Sequence, residues 1–323
     1  MDRLNGHISK FLPGYISLAA IYSFVKPELF SIFNDSTSFL LALVLFFTGL
    51  SMTLKDLKGI RKLAFVMCTG LILKWTLTVL VSVILAKLFF LEFPDLAIGL
   101  ILTGSVPSGT AATMYTFLAG GNTSLIVIMG IIDVFLSPVL TPSIMNFFAG
   151  SSVHVSFIDM AEKMLFIVIL PIIAGMLIQN FTNRVVYKIR PYSKLISSLT
   201  IILIVLSVVA NVSSQVTIQT NMIFFIACAV FIQVLLPMIG GYKIALLLGI
   251  NRVNAIAILF EVGLCNSALA AILALEVFGE IAAVPAVINM IFNLSLGAYF
   301  SNYFSKRTRE KKVPESNIDF SKN

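Results

Sequence analysis

Apolar stretches long enough to cross a bilayer recur from one end of this 323-residue chain to the other, and few folds can accommodate them. Roughly 17 to 25 mostly apolar residues cross about 30 Å of hydrocarbon as a helix, whereas barrel strands are shorter and alternate in polarity. Ten spans can be laid out. They are Leu12–Val25, Ser36–Met52, a third ending near Phe90, a fourth opened by Pro94 and Asp95, Asn122–Phe148, Met164–Asn180, Leu195–Val212, Met222–Leu248, a ninth preceded by Arg252, and Val284–Tyr303. With 59% hydrophobic and 11% charged residues, the chain has too little polar surface for a soluble protein. The expected fold class is an all-α polytopic membrane protein with ten transmembrane helices.

The charges then read as topology. Lys55, Lys58, Arg61 and Lys62 form one basic loop, and Arg184, Lys188, Arg190 and Lys194 a second. The opposite side collects Glu28, Asp35, Glu92, Asp95, Asp159, Glu162, Glu276 and Glu280, with Ser151–Glu162 a more polar connection. By the positive-inside rule, both termini and the polar tail from Lys306 to Asn323 are cytoplasmic, in a multi-pass protein of the inner (plasma) membrane. The net charge of +7 is thus accounted for without nucleic acid. Asp2, Arg3, His7 and Lys10 precede the first span with no small-residue cleavage site, so no removable signal peptide is expected. Cys68, Cys228 and Cys265 fall in apolar stretches and read as free thiols. His7 and His154 lie outside the spans, and no zinc-protease, nucleophile-elbow or phosphate-loop motif occurs. Neither an enzyme, a metal site nor a cofactor is expected.

Two stretches resist a plain helix. Gly104-Ser105-Val106-Pro107-Ser108-Gly109-Thr110 interrupts the fourth span, where Pro107 removes a backbone donor and two glycines loosen the chain. Glu261-Val262-Gly263-Leu264-Cys265-Asn266-Ser267 puts an acid, a glycine and an amide inside the ninth. Five spans per half place two similar halves, 1–150 and 151–305, in opposite orientations, each with its fourth helix broken. Paired breaks mark a transporter's central site, because freed backbone groups are tolerated in a membrane only inside protein or beside a cavity. Helix N-termini meeting at the crossing can hold an anion. Lys74, Asp133 and Glu261 are the charges hardest to explain as packing; a buried ion pair that locks two helices is the structural alternative to a functional centre. Ser108, Thr110, Thr113, Asn266 and Asn293 are the expected substrate contacts, acting as hydrogen-bond donors, although any one hydroxyl could simply bond back to its own helix. Gln233 reads as an interhelical hydrogen bond.

At these residues the chain resembles the bile acid:sodium symporter family over essentially all ten spans. The resemblance is carried by Thr48-Gly49-Leu50-Ser51-Met52-Thr53-Leu54, Pro107-Ser108-Gly109-Thr110-Ala111, Leu118-Ala119-Gly120-Gly121-Asn122, Leu136-Ser137-Pro138-Val139-Leu140-Thr141-Pro142, and Glu261-Val262-Gly263 with Asn266-Ser267. It implies inverted five-helix repeats, a panel domain of spans 1, 2, 6 and 7, and a core domain of spans 3–5 and 8–10. It also implies alternating access for small organic anions such as bile acids, sulfated steroids or carboxylates like pantoate. The departures concern sodium. Ala112 and Thr113 stand where sodium users carry Ser-Asn, Ile126 and Gly130 where they offer hydroxyls, and Lys74 and Cys265 where they place two glutamines. A hard cation wants oxygen ligands, which neither an ammonium nor a thiol supplies. The resulting expectation is a sodium-independent member in which the Lys74 ammonium occupies sodium's place and neutralises Glu261, with Asp133 available to carry protons. Phe292, where relatives often have a polar aromatic, points to a more apolar substrate. Proton symport, anion exchange and facilitated diffusion stay open, as do a conventional sodium symporter and a non-transporting membrane sensor or scaffold.

Overall fold

A computed structural model describes residues 14–16, 18–30, 36–51, 60–149, 156–181, 183–215 and 220–310. His7, Lys55, Lys58, His154 and the tail beyond 310 lie outside them. In chain order the helices are α1 (Gly14–Val25), α2 (Thr37–Ser51) and α3, which runs Ile60–Leu73, widens into a π turn over Lys74–Thr78 and continues Val79–Phe89. Next come α4 (Pro94–Gly104), α5 (Thr110–Leu118) and α6 (Thr123–Ala149). Helix α7 starts as Phe157–Met164, passes a second π turn over Leu165–Ile169 and ends as Leu170–Phe181. It is followed by α8 (Asn183–Gln215), α9 (Thr220–Leu247), α10 (Arg252–Gly263), α11 (Ser267–Val277) and α12 (Glu280–Glu310).

Among the described residues, six helices are long and apolar enough to cross a membrane: Leu63–Phe89, Thr123–Ala149, Phe157–Gln179, Leu195–Ser213, Met222–Leu247 and Glu280–Lys306. Both expected breaks fall where glycine and proline placed them, between Gly104 and Thr110 and between Gly263 and Ser267. Three boundaries differ from expectation. Arg184, Lys188, Arg190 and Lys194 are not a loop but the first turns of α8; a helix satisfies its own backbone whether lipid or water surrounds it, so leaving the apolar zone does not require leaving the helix. The polar connection before the sixth span is shorter, because the Ser156 hydroxyl accepts from Asp159 N at 3.2 Å and caps α7 well ahead of Met164. Helix α12 opens at Glu280 and continues to Glu310 past the apolar stretch.

Close backbone packing fixes the helix pairs. A Cβ on Gly49 of α2 would overlap the Ile172 carbonyl of α7, and one on Gly175 of α7 would overlap Phe46 O. Helix α8 packs on the same α2. In the rest of the molecule a Cβ on Gly99 of α4 would overlap Ala282 O of α12. One buried apolar cluster includes Leu41 of α2, Val168 of α7, Val208 of α8, Leu100 of α4 and Leu269 of α11. A second includes Met129 of α6, Met238 of α9, Phe260 of α10 and Tyr115 of α5.

Gly99→Ala should therefore force α4 and α12 apart and cost about 1–3 kcal/mol. Gly14→Ala, with nothing within 4 Å of the added carbon, should stay within about 0.5 kcal/mol of wild type. Thermal melting of the purified protein in detergent compares the two.

Candidate functional site

The two broken helices cross and hold each other by backbone hydrogen bonds. Gly109 N donates to Leu264 O at 3.1 Å, and Asn266 N donates to Pro107 O at 2.8 Å. Ser108 and Cys265 thereby face each other in an antiparallel bridge. A Cβ on Gly109 would stand 2.9 Å from Cys265 O, so the approach needs a glycine there. The carbonyls that the breaks release are taken up by protein donors. Thr78 Oγ1 of the α3 π turn donates to Val262 O at 2.7 Å, and Thr141 Oγ1 of α6 donates to Ser105 O at 2.5 Å. Asn293 Nδ2 of α12 donates to Cys265 O at 2.8 Å. Gln233 Nε2 of α9 adds a bond to Leu100 O, inside α4, at 2.7 Å.

Behind this crossing sits the charge centre. Lys74, Asp133 and Glu261 are each fully buried, brought together by the α3 π turn, the middle of α6 and the last turn of α10. Ser108 ties both acids to the crossing: its N–H donates to Asp133 Oδ2 at 2.5 Å, and its hydroxyl donates to Glu261 Oε1 at 3.0 Å. The Lys74 ammonium acts electrostatically on both carboxylates. The direct Lys74–Glu261 contact expected from sequence is not formed, since Nζ has no hydrogen-bond partner and makes no salt bridge among the described residues. The ammonium lies buried near the two acids without contacting either, and Glu261 is held by Ser108. Trp75, next in the π turn, lies beside Asp133. Lys74 Nζ, Trp75 Nε1, Asp133 Oδ1 and Glu261 Oε2 are all buried without a protein partner. They give the centre two spare donors and two spare acceptors.

The remaining expected residues separate by depth. Thr110 is exposed, Asn266 and Thr113 are half-buried, and Ser108 and Asn293 are buried. Helix α5 begins at Thr110 with no side-chain cap on its first turn, whereas the Asn266 side chain accepts from Leu269 N and closes the start of α11. Two of the five are not the free donors that the sequence suggests. The Ser108 hydroxyl is committed to Glu261, and Asn293 Nδ2 is shared between Cys265 O and Ser267 Oγ, the latter at 2.7 Å. A carbonyl only accepts, so it fixes which end of the Asn293 amide faces it. The atom left unpaired is the acceptor Oδ1.

The positions expected from sequence to be altered sodium ligands fall as follows. Ala112 and Ile126 are buried in the second apolar cluster, and a Cβ on Gly130 would meet only Ser108 Oγ, at 3.9 Å. Cys265 Sγ donates to Asn289 Oδ1 at 3.1 Å. Among the described residues, no group of three or more His, Cys, Asp or Glu could hold a metal ion. Phe292 is half-buried against Phe231. Gln233 forms the expected interhelical bond, and more, reaching Ser82 Oγ at 2.8 Å while Asn289 Nδ2 donates back to it at 3.4 Å. Sequence reasoning missed Thr78, Trp75, Ser82 and Asn289. Asn289 was within reach, because it stands four residues before Asn293 on one helical face.

Thr78→Val keeps the shape and removes the donor to Val262 O. The orphaned carbonyl should cost about 1–3 kcal/mol, read as a lowered melting temperature. Thr76→Val, which loses only a bond back to Ile72 O of its own helix, should be near neutral.

The sequence profile of the Sodium Bile acid symporter family matches residues 38–222. The "Uncharacterized sodium-dependent transporter YocS" of Bacillus subtilis (strain 168) is 31% identical, over 95% of this chain and 94% of that protein. The "Probable sodium/metabolite cotransporter BASS1, chloroplastic" of Arabidopsis thaliana is 25% identical over 95% of this chain and 76% of its own length. "Uncharacterized protein YbaS" of Bacillus subtilis (strain 168) is 27% identical over 66% and 70%. Helices long and apolar enough to cross a membrane and two interlocked helix breaks fit transport, and the profile match and the relative similar along nearly its whole length place this chain in the sodium bile acid symporter family.

Proposed function

We propose that this chain is a secondary transporter of a small organic anion, driven by protons and not by sodium, with Lys74 as a built-in cation. Its spans form two inverted five-helix repeats. Helices α1, α2, α7 and α8 make a panel, and the rest a core that carries the anion by alternating access. The observation that carries this reading is the buried trio of Lys74, Asp133 and Glu261. An ionised Lys74 contributes one positive charge and two ionised acids contribute two negative charges, leaving one negative charge. A single proton on either acid makes the centre neutral, and neutrality is what a poorly solvated site demands. Asp133 Oδ1 and Glu261 Oε2, both without a protein partner, are the acceptors for that proton.

Two further features support independence from sodium. Ala112 and Ile126 present hydrocarbon where an alkali ion needs oxygen. The carbonyls of Val262, Leu264 and Cys265, which a helix break would otherwise offer to a cation, already accept from Thr78, Gly109 and Asn293. The anion meets the opposite face of the crossing. There the uncapped start of α5 at Gly109–Thr110, with its positive dipole end, and the half-buried Asn266 and Thr113 supply the contacts. Asn293 serves as an acceptor behind them.

The competing reading is sodium symport, favoured by the words "sodium-dependent transporter" in the name of the Bacillus subtilis relative. Proteoliposomes carrying a pH dye separate the two when challenged with a bile acid, a sulfated steroid and pantoate. An anion-dependent proton influx, unchanged when choline replaces sodium, is the expected result. A saturable rise of uptake with sodium at constant ionic strength would sink it. Asp133→Asn should abolish the proton component. Lys74→Ala should lower uptake at least about tenfold, since removing one partner from a buried charge set costs roughly 3–5 kcal/mol. Lys74→Gln should not create sodium dependence, because the oxygens missing at 112 and 126 stay missing.

A further inference from the structure

The two apolar clusters are distributed unevenly along the molecule. The first joins α1, α2, α7 and α8 to α3, α4, α6, α9, α11 and α12. Its members lie toward one end, where α2 and α7 begin, α11 ends and α12 begins. The second cluster occupies the other end, where α3 and α10 begin and α5 and α9 finish. Among the described residues it draws none from α1, α2, α7 or α8. The panel is therefore sealed to the core by hydrocarbon at the end bearing Glu92, Asp95, Glu276 and Glu280. The described members of the second cluster, at the basic end, pack on each other.

Three polar groups are added to that seal. Glu276 stands in the last turn of α11, in the core. Its Oε1 accepts from Ser38 Oγ of α2, and its Oε2 lies 3.4 Å from Lys163 Nζ of α7. Lys163 Nζ also donates to Glu276 O at 3.0 Å. Both partners of Glu276 thus come from the panel. The Lys163–Glu276 salt bridge runs across the joint and not within either group.

We infer that Glu276, gripped by Lys163 and Ser38, is a latch that holds the acidic end shut. The inference rests on the alternating-access reading above. It supplies a gate that reading lacks: rotation or sliding of the core against the panel must break these contacts and open the first cluster before the crossing can face the acidic side. Both charged side chains are partly exposed, at 37% and 29%, so the pair is weak enough to be broken in every cycle. A fully buried bridge would lock the carrier.

The test is a distance measurement on the full chain with Cys68 and Cys228 replaced by alanine, spin labels at Glu92→Cys in the α3–α4 connection and Ile158→Cys in α7, and electron–electron dipolar spectroscopy in nanodiscs. The unaltered latch should give one dominant distance. Glu276→Gln and Lys163→Met should each raise the ratio of a second, displaced population about two- to fivefold, the range that an exposed ion pair provides. The exchange Lys163→Glu with Glu276→Lys should restore the dominant distance. Ser38→Ala, a milder change that leaves the charges in place, should shift the ratio in the same direction and keeps the test valid should a charge variant fold poorly. Identical distributions in all variants would overturn the latch. Shifted distances together with sodium-driven uptake would support the latch and overturn only the proton reading.

Discussion

Three buried charges, Lys74, Asp133 and Glu261, with Ser108 tying the two acids to the helix crossing, set the constraint on which the rest of this structure depends. Water would solvate Lys74, Asp133 and Glu261 separately, whereas the middle of an apolar bundle offers each little solvation. The three come from helices far apart in sequence, α3, α6 and α10, which pack against one another. The π turn at Lys74–Thr78 belongs to the same arrangement: widening the helix lets the consecutive residues Lys74 and Trp75 both face the acid side while Thr78 still reaches Val262 O.

Around that centre the crossing meets a second obligation, that no backbone group be stranded. Breaking two helices at mid-depth releases amides and carbonyls which lipid cannot serve. The interlocked bridge between Ser108 and Cys265 answers part of the demand, and a chain of side chains through Gln233, Asn289, Ser267 and Asn293 answers more. Such a network is stable only when nearly complete, which is why small polar residues cluster on α9, α11 and α12 in otherwise apolar helices. Glycine is required for the same reason. At Gly109 the opposing strand is too near for a side chain, and a Cβ on Gly263 would overlap the Met238 side chain.

Much of this was legible in the sequence, and the physical reasons differ from residue to residue. Pro107 with its flanking glycines announces a break, because proline cannot donate and glycine does not hold a helix. Lys74 and Glu261 declare themselves by isolation, being charges many residues from any polar flank. Thr78 and Trp75 were not legible. Nothing in a threonine or tryptophan of an apolar run says whether it faces lipid or a freed carbonyl, and a π turn has no sequence signature. The partners of Ser108 and Asn293 were not legible because residue type gives capacity, not allegiance: each donor has an acceptor within the fold. The helical Arg184–Lys194 run misled for the opposite reason, since charge marks where the membrane ends but not where the helix does.

Ser108 is where the charge centre and the accessible face become one device. Its N–H serves Asp133, its hydroxyl serves Glu261, and the next two residues open the uncapped first turn of α5. In the proposed mechanism a proton arriving on either acid weakens a charge-assisted bond to Ser108, since a neutral carboxyl accepts less strongly than a carboxylate. The strained element is then the bridge between the two breaks, which has Ser108 at its centre and the start of α5 at its edge. In that mechanism, charge on one face and anion binding on the other would be coupled through a single residue's backbone and side chain, over a path too short to need any longer relay. Coupling of this kind is reciprocal: an anion that draws the start of α5 toward itself alters the hold of Ser108 on both acids and so changes how readily they take up the proton.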